Sequence, residues 1–149
     1  GYANNEPLQL ERLGVPVNTI GVWETTNLVS NGVVTNESNL KAEREEVGAL
    51  VRATMRGLED SIADPEAALE AGLKYVPEAA ATRELQLEVI RASIPLWQNE
   101  ASKLNGSGYS DPEAWRSTLQ FLRKSGAVTK DVDLEAAYTN EFVEKPAGR

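Results

Sequence analysis

Gly1-Tyr2-Ala3-Asn4-Asn5-Glu6-Pro7-Leu8-Gln9-Leu10-Glu11-Arg12-Leu13-Gly14 carries the signals of a turn that feeds a short helix. Asn5 stands where an N-cap belongs, and Pro7 falls in the first turn, where a missing N–H leaves no bond unmade. Gly14 stands just past the end, where left-handed geometry suits glycine. A helix is therefore expected over Glu6–Leu13. Next, Val17-Asn18-Thr19-Ile20-Gly21-Val22-Trp23 is short and rich in β-branched residues, so a strand is expected there. Asn31-Gly32 signals a turn, and Val33-Val34-Thr35 a second short strand.

From Ser38 the pattern becomes helical. Val47, Leu50, Val51, Met55, Leu58 and Ile62 recur at three- and four-residue steps with charges between them. Asp64-Pro65-Glu66-Ala67 then caps a new helix that carries Leu69 and Leu73 and stops near Tyr75-Val76-Pro77. Thr82 is expected to cap a longer helix striped by Val89, Ile90, Ile94, Trp97, Ala101 and Leu104. Pro95 lies inside that stripe, which predicts a kink or break near Ser93. After the Gly106-Ser107-Gly108 loop, Asp111-Pro112-Glu113-Ala114 repeats the cap and opens a helix striped by Trp115, Leu119 and Leu122 that ends at Gly126. Asp133 starts a last short helix toward Tyr138. The duplicated Asp-Pro-Glu-Ala is convergent capping chemistry rather than an internal repeat.

The order is helix, strand, strand, then four or five helices, an α/β domain rich in helix and short of strand. Two short strands cannot cover so many amphipathic faces, so partner strands beyond this stretch are expected. With 149 residues, 41% hydrophobic and 26% charged, the chain has the size and composition of one ordinary globular domain. Disorder is expected only at Glu144 to Arg149. The formal charge of −8, with Lys and Arg scattered, opposes nucleic-acid binding. There is no Cys and no His, so a transition-metal site is not expected, and Ser-His or Cys-His pairs are absent from these residues. No apolar run approaches the ~18–20 residues that span a bilayer.

Three strings in order resemble the second half of the NMT1/THI5-like family: the opening Gly-Tyr-Ala-Asn-Asn-Glu, then Thr26-Asn27-Leu28-Val29-Ser30-Asn31-Gly32-Val33-Val34-Thr35-Asn36-Glu37, then Tyr138-Thr139-Asn140-Glu141-Phe142. Glu46 to Leu58 and Asp111 to Trp115 are similar to further helices of that family. The resemblance implies a carboxy-terminal piece of a type 2 periplasmic binding protein fold, two α/β lobes with the ligand between them. It places 1–24 at the edge of the distal lobe and the cleft turn, 25–37 in the returning hinge segment, and 38–149 in the helical part of the proximal lobe. The implied function is the solute-binding component of an ABC importer. It would work outside the cytoplasmic membrane by hinge closure on a small organic ligand such as a thiamine-precursor pyrimidine or similar heteroaromatic. The partner would be an ABC permease, with membrane association only through it or an upstream lipid anchor, and with no cofactor. The family's other branch makes the thiamine pyrimidine and carries a cysteine-rich run before the return strand. Thr25 to Asn31 stands at that place without Cys, which disfavours an enzyme.

Within that frame Glu6 is the first candidate ligand contact, since the resemblance implies that a carboxylate at this turn hydrogen-bonds a ring's amino group and nitrogen, as in pyrimidine-binding relatives. Its alternative role is to complement the N-terminus of the following helix. Asn5, with Asn4, offers amide contacts or caps the helix. Tyr2 presents its ring to an aromatic ligand or packs under a sheet. Trp23, ending the first strand, faces the cleft or the core. Trp97 and Trp115, on helical stripes, are core residues. Asn27, Ser30 and Asn31 carry turn chemistry. Glu43, Glu45 and Glu46 with Arg44 form a solvated helix start.

Overall fold

The structure, a computed structural model, describes residues 1–146; residues 147–149, part of the stretch expected to be disordered, lie outside the described residues. The chain folds as two compact units. One combines Gly1–Gly21 with Arg56–Asn99, and the other combines Val22–Met55 with the residues from Glu100 onward.

In the first unit, α1 (Glu6–Arg12) ends as anticipated, with Gly14 at φ +72°. Asp64 caps α4 (Pro65–Leu73), its Oδ1 accepting the Ala67 N–H at 3.0 Å, with Pro65 at the first helical position. A 3-10 turn over Pro77–Thr82 leads into α5 (Arg83–Trp97). Glu66 pairs with Arg91 and Glu70 with Arg83, so α4 and α5 run antiparallel. These pairs are exposed and worth roughly 0–1 kcal/mol each, and they set register more than stability. Leu69 on α4 and Ser93 on α5 are the buried side chains of this unit, each 4% exposed.

Two expectations for α5 are corrected. The Thr82 side chain does not cap it; the preceding 3-10 turn hands the backbone straight into the helix, and the Thr82 hydroxyl instead accepts from Gln86 Nε2 at 3.1 Å. Nor does α5 break at Ser93, for it runs on to Trp97 with Pro95 inside. Pro95 lies in the last turn, where its ring forfeits a single N–H bond. The stripe is interrupted instead at Gln98 and Asn99, beyond which α6 (Glu100–Asn105) begins in the other unit.

In the second unit, Asn36 caps α2 (Glu37–Ala42) through Asn39 N–H, 2.8 Å away. The chain leaves helical geometry at Glu43, and α3 (Arg44–Ala63) follows, its residues to Met55 belonging here and the rest to the first unit. α7 (Pro112–Lys124) and α8 (Leu134–Ala137) open on the anticipated aspartates: Asp111 accepts from Glu113 N–H and Asp133 from Glu135 N–H, each at 3.0 Å. Ser110 and Asn140 exchange two hydrogen bonds, at 2.7 and 2.9 Å, and Val29 N–H donates to Thr118 Oγ1 at 2.7 Å. Arg44 pairs with Glu141 and lies 5.4 Å above the Phe142 ring.

The two expected strands are not formed. Residues 15–21 and 33–35 carry no regular structure, Val22–Glu24 is a 3-10 turn, and no strand occurs among the described residues. A β-branched sequence becomes a strand only when a neighbour supplies the ladder, and none is within reach here. Ile20 and Val34, 89% and 91% exposed, remain in solvent. What is described is thus helix-rich, the α part of the expected α/β class. The expected core position of Trp97 is also corrected, since it is 37% exposed as the last residue of α5. Trp115 is half-buried. No helix among the described residues is long and apolar enough to cross a membrane.

Candidate functional site

The opening turn is built from three interlocked bonds. Asn5 N–H donates to the Tyr2 carbonyl at 3.1 Å, closing a turn over residues 2–5. The Glu6 carboxylate reaches back, its Oε2 accepting the Tyr2 N–H at 2.5 Å. Asn4 Nδ2 donates to the buried Ser93 Oγ at 2.6 Å, which ties the turn to α5. At its other end α1 is held to the same helix by Arg12, which pairs with Glu88 at 2.9 Å. Residue 4 thus meets residue 93 and residue 12 meets residue 88, so α1 lies antiparallel along α5.

This geometry sets the electrostatics. The Tyr2 N–H, together with Glu6's own backbone N–H, holds the Glu6 carboxyl below its ordinary pKa. The hydrogen bond that Arg12 donates to the Glu88 carboxylate raises Arg12 and lowers Glu88. Glu6 is half-buried, and Tyr2 is 68% exposed. Asn5 occupies the N-cap position, yet its side chain makes no capping bond; its Oδ1 accepts from Gln9 Nε2 at 2.7 Å. Asn4 does not cap either. The expectation that one of the two asparagines caps α1 is corrected, because both amides are engaged elsewhere.

Tyr2, Asn5 and Glu6 therefore stand together on one turn of the first unit. Trp23 belongs to the second unit, on the 3-10 turn Val22–Glu24, which is fastened by Thr25 and Thr26 N–H bonds to the Val22 carbonyl at 3.1 Å. Its indole is 59% exposed. Ser93 was visible in the sequence only as the place of an expected break; the signal that marks it is a hydroxyl set in an apolar stripe between Val89 and Ile94. In the first unit an open cleft of about 550 Å³ separates the end of α1 from the start of α5, lined by Gln9, Arg12, Leu13, Thr82, Arg83 and Glu84. Its cations are answered within the unit, Arg12 by Glu88 and Arg83 by Glu70. No cluster of three or more potential metal ligands occurs among the described residues.

Residues 1–68 match the model of the family described as NMT1/THI5 like. The first two of the three strings lie inside that match, and the Tyr138–Phe142 string lies beyond it. The chain is 41% identical over 144 residues to the riboflavin-binding protein RibY of Chloroflexus aurantiacus, an alignment that covers 96% of this chain and 41% of that protein. The chain thus spans about two fifths of the length of the curated relative it matches. No solved structure matches. The resemblance to the NMT1/THI5-like family holds, and the named relative is a ligand-binding protein.

Proposed function

We propose that the protein carrying this chain is the solute-binding component of an ABC importer, which takes up a planar heteroaromatic molecule outside the cytoplasmic membrane and delivers it to a permease. The observation that carries the proposal is the Tyr2–Glu6 turn, where an exposed tyrosine donates its backbone N–H to a carboxylate held in its ionised form. An ionised carboxylate only accepts hydrogen bonds. It therefore suits a ring edge that presents N–H donors, and an aromatic side chain beside it suits the ring face. An aminopyrimidine offers such an edge through its amino group, and a flavin through its ring imide. The riboflavin-binding relative, aligned over nearly the whole chain, favours the flavin.

In this proposal residues 1–24 supply the cleft turn, 25–37 the hinge segment and 38–149 the helical part of the proximal lobe. Asn5 is the less direct contact, since its amide oxygen already serves Gln9. Trp23 keeps an exposed indole of the kind that stacks on a ring. A binding role rather than a synthase is supported by the relative's being a binding protein and by the cysteine-free Thr25–Asn31 segment.

The test is titration of the complete protein with riboflavin, followed by loss of flavin fluorescence, with the hydroxymethyl aminopyrimidine precursor of thiamine as second probe by calorimetry. Glu6→Gln is expected to weaken binding roughly tenfold to a hundredfold, the worth of one charge-assisted hydrogen bond. Failure of both probes to bind ends the proposal.

A further inference from the structure

Resting on the ligand contact proposed for Glu6, we infer that Ser93 is a positioning residue: through Asn4 it holds the Tyr2–Glu6 turn in the shape that receives the ligand. Ser93 is a hydroxyl in an otherwise apolar stripe, and it is 4% exposed. A buried hydroxyl costs stability unless its bonding is complete. Here it is complete in both senses. Ser93 Oγ donates to the Val89 carbonyl at 2.7 Å and accepts from Asn4 Nδ2 at 2.6 Å. The first bond fixes the hydroxyl's direction and spends its only proton, which leaves a lone pair to receive the amide.

Asn4 sits inside the turn closed by Asn5 N–H on the Tyr2 carbonyl, and Tyr2 N–H in turn holds the Glu6 carboxylate. The chain of bonds therefore runs from the interior of α5 to the carboxylate and ring that would meet the ligand. Arg12 and Glu88 anchor the far end of α1 to α5, at an exposed ion pair of small energy. The Asn4–Ser93 bond is the half-buried anchor at the ligand end. A turn preset before the ligand arrives does not have to be ordered on binding, which is where its contribution to affinity comes from.

The experiment is a set of affinities for riboflavin, with the thiamine-precursor pyrimidine as second probe, measured on the complete protein and on Asn4→Ala, Ser93→Ala, Glu6→Gln and the Ser93→Ala/Glu6→Gln double variant. Asn4→Ala cuts the bond from its half-exposed side and keeps the test alive if Ser93→Ala disturbs folding. Asn4→Ala and Ser93→Ala are each expected to weaken binding roughly threefold to tenfold, the worth of one neutral hydrogen bond. In the Glu6→Gln background Ser93→Ala is expected to weaken binding by less than it does alone, because part of its effect travels through the Glu6 contact. A purely structural Ser93 would lower the melting temperature and leave affinity unchanged. That result, or full additivity with Glu6→Gln, overturns the inference while leaving the Glu6 contact standing. Unchanged affinity in Glu6→Gln removes the contact and the positioning role together, as does failure of both probes to bind.

Discussion

The ring of Tyr138 lies on the indole of Trp115, with centroids 5.0 Å apart and planes 10° from parallel. The stack joins α7 to α8, a four-residue helix too short to hold itself by its own hydrogen bonds. One edge of the indole is less well served, because Trp115 Nε1 is buried and has no hydrogen-bond partner among the described residues. The face of Trp115 therefore stabilises this unit, and its N–H opposes that contribution.

Trp115→Phe is accordingly expected to cost less than about 1 kcal/mol, because the area lost is offset by removing an unsatisfied donor. Trp115→Ala is expected to cost about 3–5 kcal/mol, the usual range for truncating a large aromatic inside a packed contact. Urea unfolding followed by circular dichroism separates the two. A phenylalanine as damaging as alanine would mean that the indole N–H is bonded after all.

Glu6 gives a pH prediction. Its folded pKa lies below the ordinary value of 4.5, chiefly because the Tyr2 N–H bonds the charged form. A depressed carboxylate contributes stability that is present above the unfolded value and is lost as pH falls through the folded one. The Tyr2–Glu6 turn is thus expected to be intact at neutral pH and to loosen in the acid range below 4.5. A carbon-13 titration of the Glu6 carboxyl reads this directly, and a midpoint at or above 4.5 would contradict the bond.

The helical part of the fold was legible because helix signals are local. Asp64-Pro65 and Asp111-Pro112 marked two starts to the residue, and Gly14 and Gly126 marked two ends with φ of +72° and +76°. The strands were not legible, since Val17–Trp23 and Val33–Thr35 have the composition of strands but find no neighbour among the described residues. Strand formation is a property of a pair, and one segment's sequence does not supply its partner. The candidate site shows the same division. Tyr2, Asn5 and Glu6 were picked from adjacent positions, whereas Ser93 lies 89 residues from Asn4 and entered only through tertiary contact.

Two glycines of positive φ make a matched pair for mutation. At Gly106, φ is +110° and an added Cβ would overlap the Glu144 carbonyl oxygen; at Gly126, φ is +76° and the space is open. Gly126→Ala is expected to cost about 1–2 kcal/mol, the left-handed penalty alone. Gly106→Ala must also displace the chain at Glu144, and it is expected to exceed Gly126→Ala by at least about 1 kcal/mol. Equal melting temperatures for the two variants would show that the approach of the Glu144 backbone to Gly106 is not fixed in solution.

The caps yield a last comparison, drawn between residues of similar sequence signature. Asp64 and Asp111 each accept a backbone N–H in the first turn of their helix, whereas Asn5 stands at the cap of α1 with its side-chain oxygen given to the side chain of Gln9. Asp64→Ala and Asp111→Ala each strand a helical donor and are expected to cost about 1 kcal/mol. Asn5→Ala removes an exposed amide pair and no cap, so it is expected to cost only a few tenths of a kcal/mol. The order matters more than the values. Should Asn5→Ala prove as destabilising as Asp64→Ala, its amide caps α1 in solution, and the contacts of the opening turn would have to be redrawn with Asn5 facing the helix.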